Sequence, residues 1–320
     1  MAKELSISIA AYNMEKYIAE TLDSIVSSNS LDQLEVFIVN DGSSDNTTNI
    51  VKRYVDKYPS TFILIDKDNG GWGSTVNSGL ARATGRYFKL LDGDDLVQYI
   101  DSFIEYIKGL NADVIITPYK TFLEDTEVEE LHGSVSKQQL NLVQDIDSVR
   151  FDDIIAMHSC TFKTECIKNR YDITEHCFYT DVEYVLKSML NVSSIAFVDI
   201  PLYRYRIGRA GQSVSADGYR KHFLEHLKVL KGLLQIYKNS NLSGTIYDVF
   251  NKQLTNMVDH QYYIFLVLDP TAEHAEMMEN YDMLIKQDYP EFYPTNRLRV
   301  KAFRLLGTVF YKHIIYKNIK

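Results

Sequence analysis

The sequence predicts an α/β fold: a mixed sheet flanked by helices, followed by a mainly helical C-terminal region. Three observations carry that expectation. Short apolar runs alternate with amphipathic segments through about residue 118, the pattern of parallel strands joined by crossover helices. From Asp217 onward the apolar spacing is helical almost throughout. The composition, 45% hydrophobic and 24% charged, is that of a chain able to bury a core rather than a disordered one.

The elements follow in order. Leu5–Ala11 reads as a strand, and Glu15–Ser28 as a helix with Tyr17, Ile18, Leu22 and Ile25 on one face. Leu34–Val39 is a second strand, Asp45–Tyr58 a second helix ending before Pro59, and Thr61–Asp66 a third strand. Thr75–Ala83 is predicted helical, Arg86–Leu91 a strand, Val97–Leu110 an amphipathic helix through Ile100, Phe103, Ile104 and Ile107, and Ala112–Pro118 a strand. Beyond residue 120 the signal weakens, with short strands expected at Ile195–Val198 and Leu202–Tyr205 around Pro201. Helices are expected at Leu224–Tyr237, Ile246–Leu268 and Ala272–Lys286.

Composition narrows the function classes. The formal charge of −9 disfavours general nucleic-acid binding. The charge is uneven: Asn296–Lys320 holds seven Lys or Arg and no acid, leaving a net −16 elsewhere. Cys160, Cys166 and Cys177 show no zinc-type spacing and read as reduced thiols of a cytosolic protein. Met1–Tyr12 lacks the basic start and apolar length of a secretion signal. No run approaches the ~18–20 apolar residues of a spanning helix.

In such sheets ligands bind beyond the carboxyl ends of the strands, which directs attention to Ala11–Asn13, Asn40–Asp45, Asp66–Ser74 and Asp92–Asp95. The last, Asp92-Gly-Asp-Asp95, sets three carboxylates within four residues. Such charge is costly unless a cation compensates it, and an all-oxygen donor set suits Mg²⁺ or Mn²⁺. The same residues also suit a plain turn with one Asp capping the next helix.

Four segments in order resemble family 2 glycosyltransferases. They are Ile7-Ser-Ile-Ala-Ala-Tyr-Asn13 with Glu15, Tyr17 and Ile18; Val39-Asn-Asp-Gly-Ser-Ser-Asp45; Asn69-Gly-Gly71 with Asn77 and Gly79; and Asp92-Gly-Asp-Asp95 as the Asp-any-Asp motif. They cover roughly the first third of the chain. The resemblance implies a GT-A fold, a nucleotide-diphosphate sugar donor, with UDP as the expected nucleotide, and a divalent metal, Mn²⁺ or Mg²⁺. It implies that Ala10 and Tyr12 line the nucleotide pocket, that Asp41 bonds the base, that Asp94 reaches the metal, and that Asp92 and Asp95 assist at the ribose or metal shell. Asn69 and Asn77 are carried over as donor-site residues, although Asn before Gly-Gly also makes a turn unaided. Trp72, the only tryptophan, suits either a sugar site or the core. Ala10 stands where the family often has a proline, which would only stiffen the turn.

Inversion needs a base to take the acceptor proton. The family's acidic residue opening a helix after the sheet matches Asp181 in Thr180-Asp-Val-Glu-Tyr-Val-Leu186, with Thr180 replacing a first acid. Ordinary helix-start chemistry accounts for the same residues. Glu183, Glu175, His158 and His176 are fallbacks. Pro201-Leu-Tyr-Arg-Tyr-Arg206 and Gly211-Gln-Ser-Val214 resemble the segment closing the catalytic domain, and Arg206 and Arg209 are candidates to neutralise a diphosphate.

The expected organisation is a catalytic domain over 1–215, with a nucleotide-sugar half to about 118 and an acceptor half from 119, then a helical region over 216–320. In its tail Leu298, Val300, Phe303, Leu306, Phe310 and Ile314 make an apolar stripe beside the basic residues. That suits a helix lying on an anionic membrane surface, peripheral to the inner face, where a lipid-linked glycan acceptor would be met. A terminal helix packed on the domain is the alternative. Two other functions fit the pattern: a nucleotidyltransferase, which would carry a glycine-rich basic loop where this chain has Ala10–Lys16, and a nucleotide-sugar-binding relative without a base.

Overall fold

The computed structural model describes residues 2–307 apart from 125, 127, 134, 136, 137, 209–215 and 270. Two compact units divide the chain. The first is Met1–Ala210 with Ser243–Val249; the second is Gly211–Leu242 with Phe250–Lys320.

The first unit opens with strands and helices in alternation: β1 (Leu5–Ala11), α1 (Ile18–Val26), β2 (Leu34–Asp41), α2 (Thr47–Lys57), β3 (Phe62–Lys67), α3 (Trp72–Arg82) and β4 (Tyr87–Asp92). Then come β5 (Leu96–Val97), α4 (Ile100–Lys108), β6 (Val114–Ile116), β7 (Tyr119–Leu123), β8 (Glu129–His132) and β9 (Gln144–Asp145). The unit continues with β10 (Cys160–Lys163), α5 (Thr164–Ile167), α6 (Thr180–Met189), β11 (Ser194–Phe197) and β12 (Tyr203–Ile207).

The main sheet has eight strands in the order β3-β2-β1-β4-β10-β6-β11-β9. β1 to β4 run parallel, whereas β10 is antiparallel to both neighbours, so the sheet is mixed. All eight residues of β2 are buried, as expected of a strand covered on both faces. Even its Glu35 is 7% exposed, because it accepts from Ser6 Oγ, both donors of Thr84 and the Gly85 amide. α3 sits close enough to β1 that a Cβ on Gly79 would lie 2.0 Å from Ser8 Oγ. That contact fixes the helix that leads out of the glycine-rich loop.

A second sheet, β5-β12-β7-β8, stands beside the site. It comes from the weakly patterned stretch and departs from the expected elements. Leu96 and Val97 belong to β5, paired with Arg204 and Tyr203, so the helix expected from Val97 begins only at Ile100. α3 begins at Trp72, a turn earlier than its apolar spacing implies. α2 starts at Thr47 because Asp45 accepts the Thr47 amide.

The second unit is helical: α7 (Ala216–Asn239), α8 (Gly244–Val267, whose first residues belong to the first unit), α9 (Ala272–Asp288) and α10 (Leu298–Leu306). Val300 and Phe303 of α10 are buried, and Arg304 bonds Asp282 at 2.7 Å while lying 3.6 Å over the Tyr293 ring. The expected continuous tail stripe is therefore split, since Leu298 and Leu306 are exposed. Phe310 and Ile314 lie outside the described residues. Among those residues, no helix is long and apolar enough to cross a membrane.

Candidate active site

The loops after β1, β2, β3 and β4 gather at one edge of the sheet. Ala10, near the end of β1, lies in register with Asp92 at the end of β4. Tyr12 follows, 50% exposed. Asn13 adopts a left-handed φ of 54°, and its amide and side chain bond Ser43 and Ser44 of the β2 loop.

Asp41 ends β2 and is buried. Its carboxylate accepts the Gly70 and Gly71 amides at 2.9 and 2.8 Å, Lys67 Nζ at 2.8 Å and Ser74 Oγ at 3.2 Å. Gly71 has φ +81°, a conformation that glycine adopts without steric cost. Asn69 Nδ2 donates to the Asp41 carbonyl at 2.9 Å. These contacts fold the glycine-rich loop around Asp41 and deliver Trp72, whose Nε1 donates to Asp92 Oδ1 at 2.8 Å. Asn77 points elsewhere: it pins Ile173 through both backbone groups and reaches Glu175.

The acidic turn is held by β12. Antiparallel pairing of Tyr203 with Val97 and of Arg204 with Leu96 runs on toward Asp95 and Asp94. Tyr203 Oη accepts the Asp92 amide and donates to Asp95 Oδ2 at 2.5 Å, while the Arg206 amide donates to Asp95 Oδ1 at 2.7 Å. Arg206 Nε donates to the Asp94 carbonyl at 2.8 Å, and its Nη2 to Glu20 at 2.6 Å. The guanidinium lies over the rings of Phe122 and Tyr17 and is 4% exposed. Arg206 thus engages the acidic turn, α1 and, at 3.7 Å, Glu124. Arg209 and Gly211–Val214 lie outside the described residues.

Burial, and then the nearby charges of Asp92 and Asp94, push the Asp95 carboxyl well above the ordinary carboxylate range. Facing the turn is His158, stacked between Tyr119 and Tyr205 with ring centres 5.0 and 4.5 Å away. Burial, with Lys89 and His132, pushes its pKa down to about 3, so the ring is neutral. Ligand atoms of Asp92, Asp95 and His158 lie within 4.8 Å of one another, a grouping able to hold a metal ion; Asp94 is outside it. His158 Nδ1 is buried with no hydrogen-bond partner. Beneath it, buried Lys89 donates to the His158 and Cys160 carbonyls, and burial lowers its pKa to about 8.

Asp181 lies in the first turn of α6, after Tyr179 in a left-handed conformation. Its side chain is accessible to solvent. Desolvation raises its pKa, and the backbone N–H groups of Val182 and Asp181 offset part of the rise. The Tyr205 hydroxyl is raised first by burial and then by Asp95, Asp92, Asp94 and Asp181. Glu183, a fallback base, is buried and bonded to Thr174 and Lys187.

Residues 6–162 match the model of the family described as Glycosyl transferase family 2. The chain belongs to that family. The Minor teichoic acid biosynthesis protein GgaB of Bacillus subtilis is 28% identical over 246 residues, 74% of this chain, which spans only 27% of that protein's length. The uncharacterized glycosyltransferase MG025 of Mycoplasma genitalium is 25% identical over 266 residues, 80% of this chain and 88% of the relative. Among solved structures, Staphylococcus aureus TarS residues 1–349 in complex with UDP-GlcNAc align with a TM-score of 0.68 and 19% identity, covering 98% of this chain and 91% of that one. The mannosyltransferase PcManGT of Pyrobaculum calidifontis, in complex with GDP-Man and Mn²⁺, aligns with a TM-score of 0.58 at 13% identity, over 98% of this chain and 86% of that one. The fold of this family 2 chain is accordingly GT-A, with a helical C-terminal region.

His158, Tyr203 and Tyr205 form part of this site without belonging to the four motifs. The alternation in Tyr203-Arg-Tyr-Arg206 is a strand signal that sets the two tyrosines on one face. Nothing local marks His158, since only the sheet order brings β10 beside β4.

Proposed function

We propose that this family 2 chain transfers one sugar, with inversion, from a nucleotide-diphosphate donor to a hydroxyl of a glycan or lipid-linked glycan acceptor in surface polysaccharide assembly. The observation that carries this reading is the grouping of Asp92, Asp95 and His158, with ligand atoms within 4.8 Å of one another, in a chain whose residues 6–162 match the family 2 model. A base must meet such an anion-handling centre across the reacting bond, and Asp181 is the acid that the family pattern offers for it. UDP is the preferred nucleotide, supported by the UDP-GlcNAc and UDP complexes of the TarS neighbours.

In this reading Asp181 takes the proton of the acceptor hydroxyl as its oxygen attacks the anomeric carbon and the nucleoside diphosphate departs. Its raised pKa strengthens it as a base. Ala10, Tyr12, Asp41 and Asn69 shape the nucleotide pocket, Asp41 by folding the loop that bounds it; Asn77 steadies that pocket through residues 173–175. Arg206 holds the acidic turn in place.

The residues present fit a divalent cation, Mn²⁺ or Mg²⁺. Burial and then the neighbouring carboxylates raise Asp95, and beside them a buried imidazole nitrogen of His158 has no hydrogen-bond partner among the described residues. Asp92, Asp95 and His158 would hold the ion, with Asp94 the ligand implied by the family motif. Such an ion supplies positive charge for the leaving diphosphate.

Calorimetric titration with UDP, with and without Mn²⁺, tests the donor site. Metal-dependent binding that Asp94→Asn loses is the expected result, and no binding under any condition would overturn the UDP reading. Turnover with a donor panel separates the enzyme from a non-catalytic relative. UDP-sugar transfer that Asp181→Asn abolishes is expected, and equal turnover by that variant would remove Asp181 as the base.

A further inference from the structure

α10 buries Val300 and Phe303, and its opposite side is apolar as well. Leu298, Ala302 and Leu305 recur at i, i+4 and i+7, with Leu306 one residue on, and so share one helix face. Leu298 is 80% exposed, Leu305 84% and Leu306 55%. At 100° per residue, Lys301 flanks the stripe on one side and Arg299 on the other. Both are exposed, and neither forms an ion pair among the described residues. Residues 296–307 contain no Asp or Glu, in a chain whose remainder before the tail is strongly acidic.

We infer that this face of α10 docks on an anionic lipid bilayer, lying in the interface plane with the leucines among the acyl chains. Leucines exposed to this degree at helical spacing are costly in water but gain on entering the acyl boundary. Arg299 and Lys301 stand where their long stems can cover the edges of the stripe while their charges meet lipid phosphates. The absence of acid on this helix matches an anionic surface specifically. The inference stands on the second unit alone and does not depend on the donor reading.

Flotation of the full chain tests it, with vesicles of phosphatidylcholine alone and of equimolar phosphatidylcholine and phosphatidylglycerol. Recovery with the anionic vesicles only, reduced by added salt, is expected. Leu298→Gln/Leu305→Gln should lower that recovery several-fold. Arg299→Gln/Lys301→Gln should weaken binding about thirtyfold, because each basic side chain near an anionic surface contributes about fivefold. All four positions are exposed, so circular dichroism and Tm should match the parent chain. No recovery with either vesicle, or recovery unchanged by the leucine pair, overturns the inference. So does a dimer in light scattering that the leucine pair dissociates while lipid binding persists, since the face would then belong to a second copy.

Discussion

At the scale of single residues, Asp181 and Asp95 illustrate two uses of desolvation. Asp95 is sealed in, with Tyr203 and the Arg206 amide as donors, and its pKa is raised first by that burial and then by the charges of Asp92 and Asp94. Asp181 is raised by the same cause but keeps its access to solvent. A base must be ionised to act, so transfer should be intact above the Asp181 pKa and fall as pH drops through it. Because that pKa is raised, the loss should begin at higher pH than for an ordinary aspartate. A rate profile with saturating donor reads this directly, and an acid limb at the ordinary aspartate position would deny Asp181 the role. Asp181→Asn should cost about 10²- to 10⁴-fold in turnover while leaving UDP affinity near that of the parent. Trp72 makes a different demand. Trp72→Phe keeps the ring's bulk but removes the donor to Asp92, and loss of that hydrogen bond to a carboxylate should weaken metal-dependent UDP binding about tenfold. Unchanged calorimetry would reduce Trp72 to packing alone.

At the scale of elements, the first four strands and the turns after them were legible because their signals are local. β2 is apolar from Val36 to Val39, and Asp-Gly and Asn-Gly-Gly punctuate the strand ends. Of the second sheet, β12 was legible as the strand expected at Leu202–Tyr205, but β5 was not, since Val97 looks like the start of a helix until Tyr203 arrives from over a hundred residues away. His158 was named only as a fallback base, and its place beside the acidic turn was hidden for the same reason. Its neighbours Tyr119, Tyr203 and Tyr205 come from β7 and β12, so no window of sequence contains the cluster. Glu35 shows how elements are locked once assembled. Burial alone would raise its pKa, but hydrogen bonds from Ser6, Thr84 and Gly85 outweigh that and lower it. A carboxylate depressed on folding stabilises the fold above its unfolded pKa, and the contribution is lost as pH falls through the folded one. Glu35→Gln should therefore cost about 1–3 kcal/mol near neutral pH, with the difference from the parent shrinking in acid. Chemical denaturation at two pH values measures it, and a gap that widens in acid would contradict the linkage.

At the scale of the whole molecule, the boundary between units is not a single cut in the chain. Residues 243–249 return to the first unit after the α7 segment has left it. Thr245 is fully buried there; its amide donates to Asp147 Oδ1 at 2.9 Å and its hydroxyl to the Val149 carbonyl at 2.7 Å. Arg150 reaches the same hydroxyl at 2.5 Å. A catalytic domain drawn as residues 1–215 leaves these groups of the 145–150 segment without their partners. β9 lies in that segment and closes the edge of the main sheet against β11, so the loss should be felt as fraying of that edge. Unsatisfied groups of this kind cost about 1–3 kcal/mol each. A chain ending at 215 should accordingly unfold several degrees below the full chain, and Thr245→Val, which keeps the shape but removes the hydroxyl, should reproduce part of that loss. UDP affinity should change little in Thr245→Val, because the donor loops sit at the ends of β1 to β4, on the far side of the sheet order from β9. A truncated chain as stable as its parent would mean that residues 243–249 only rest on the first unit and do not hold it.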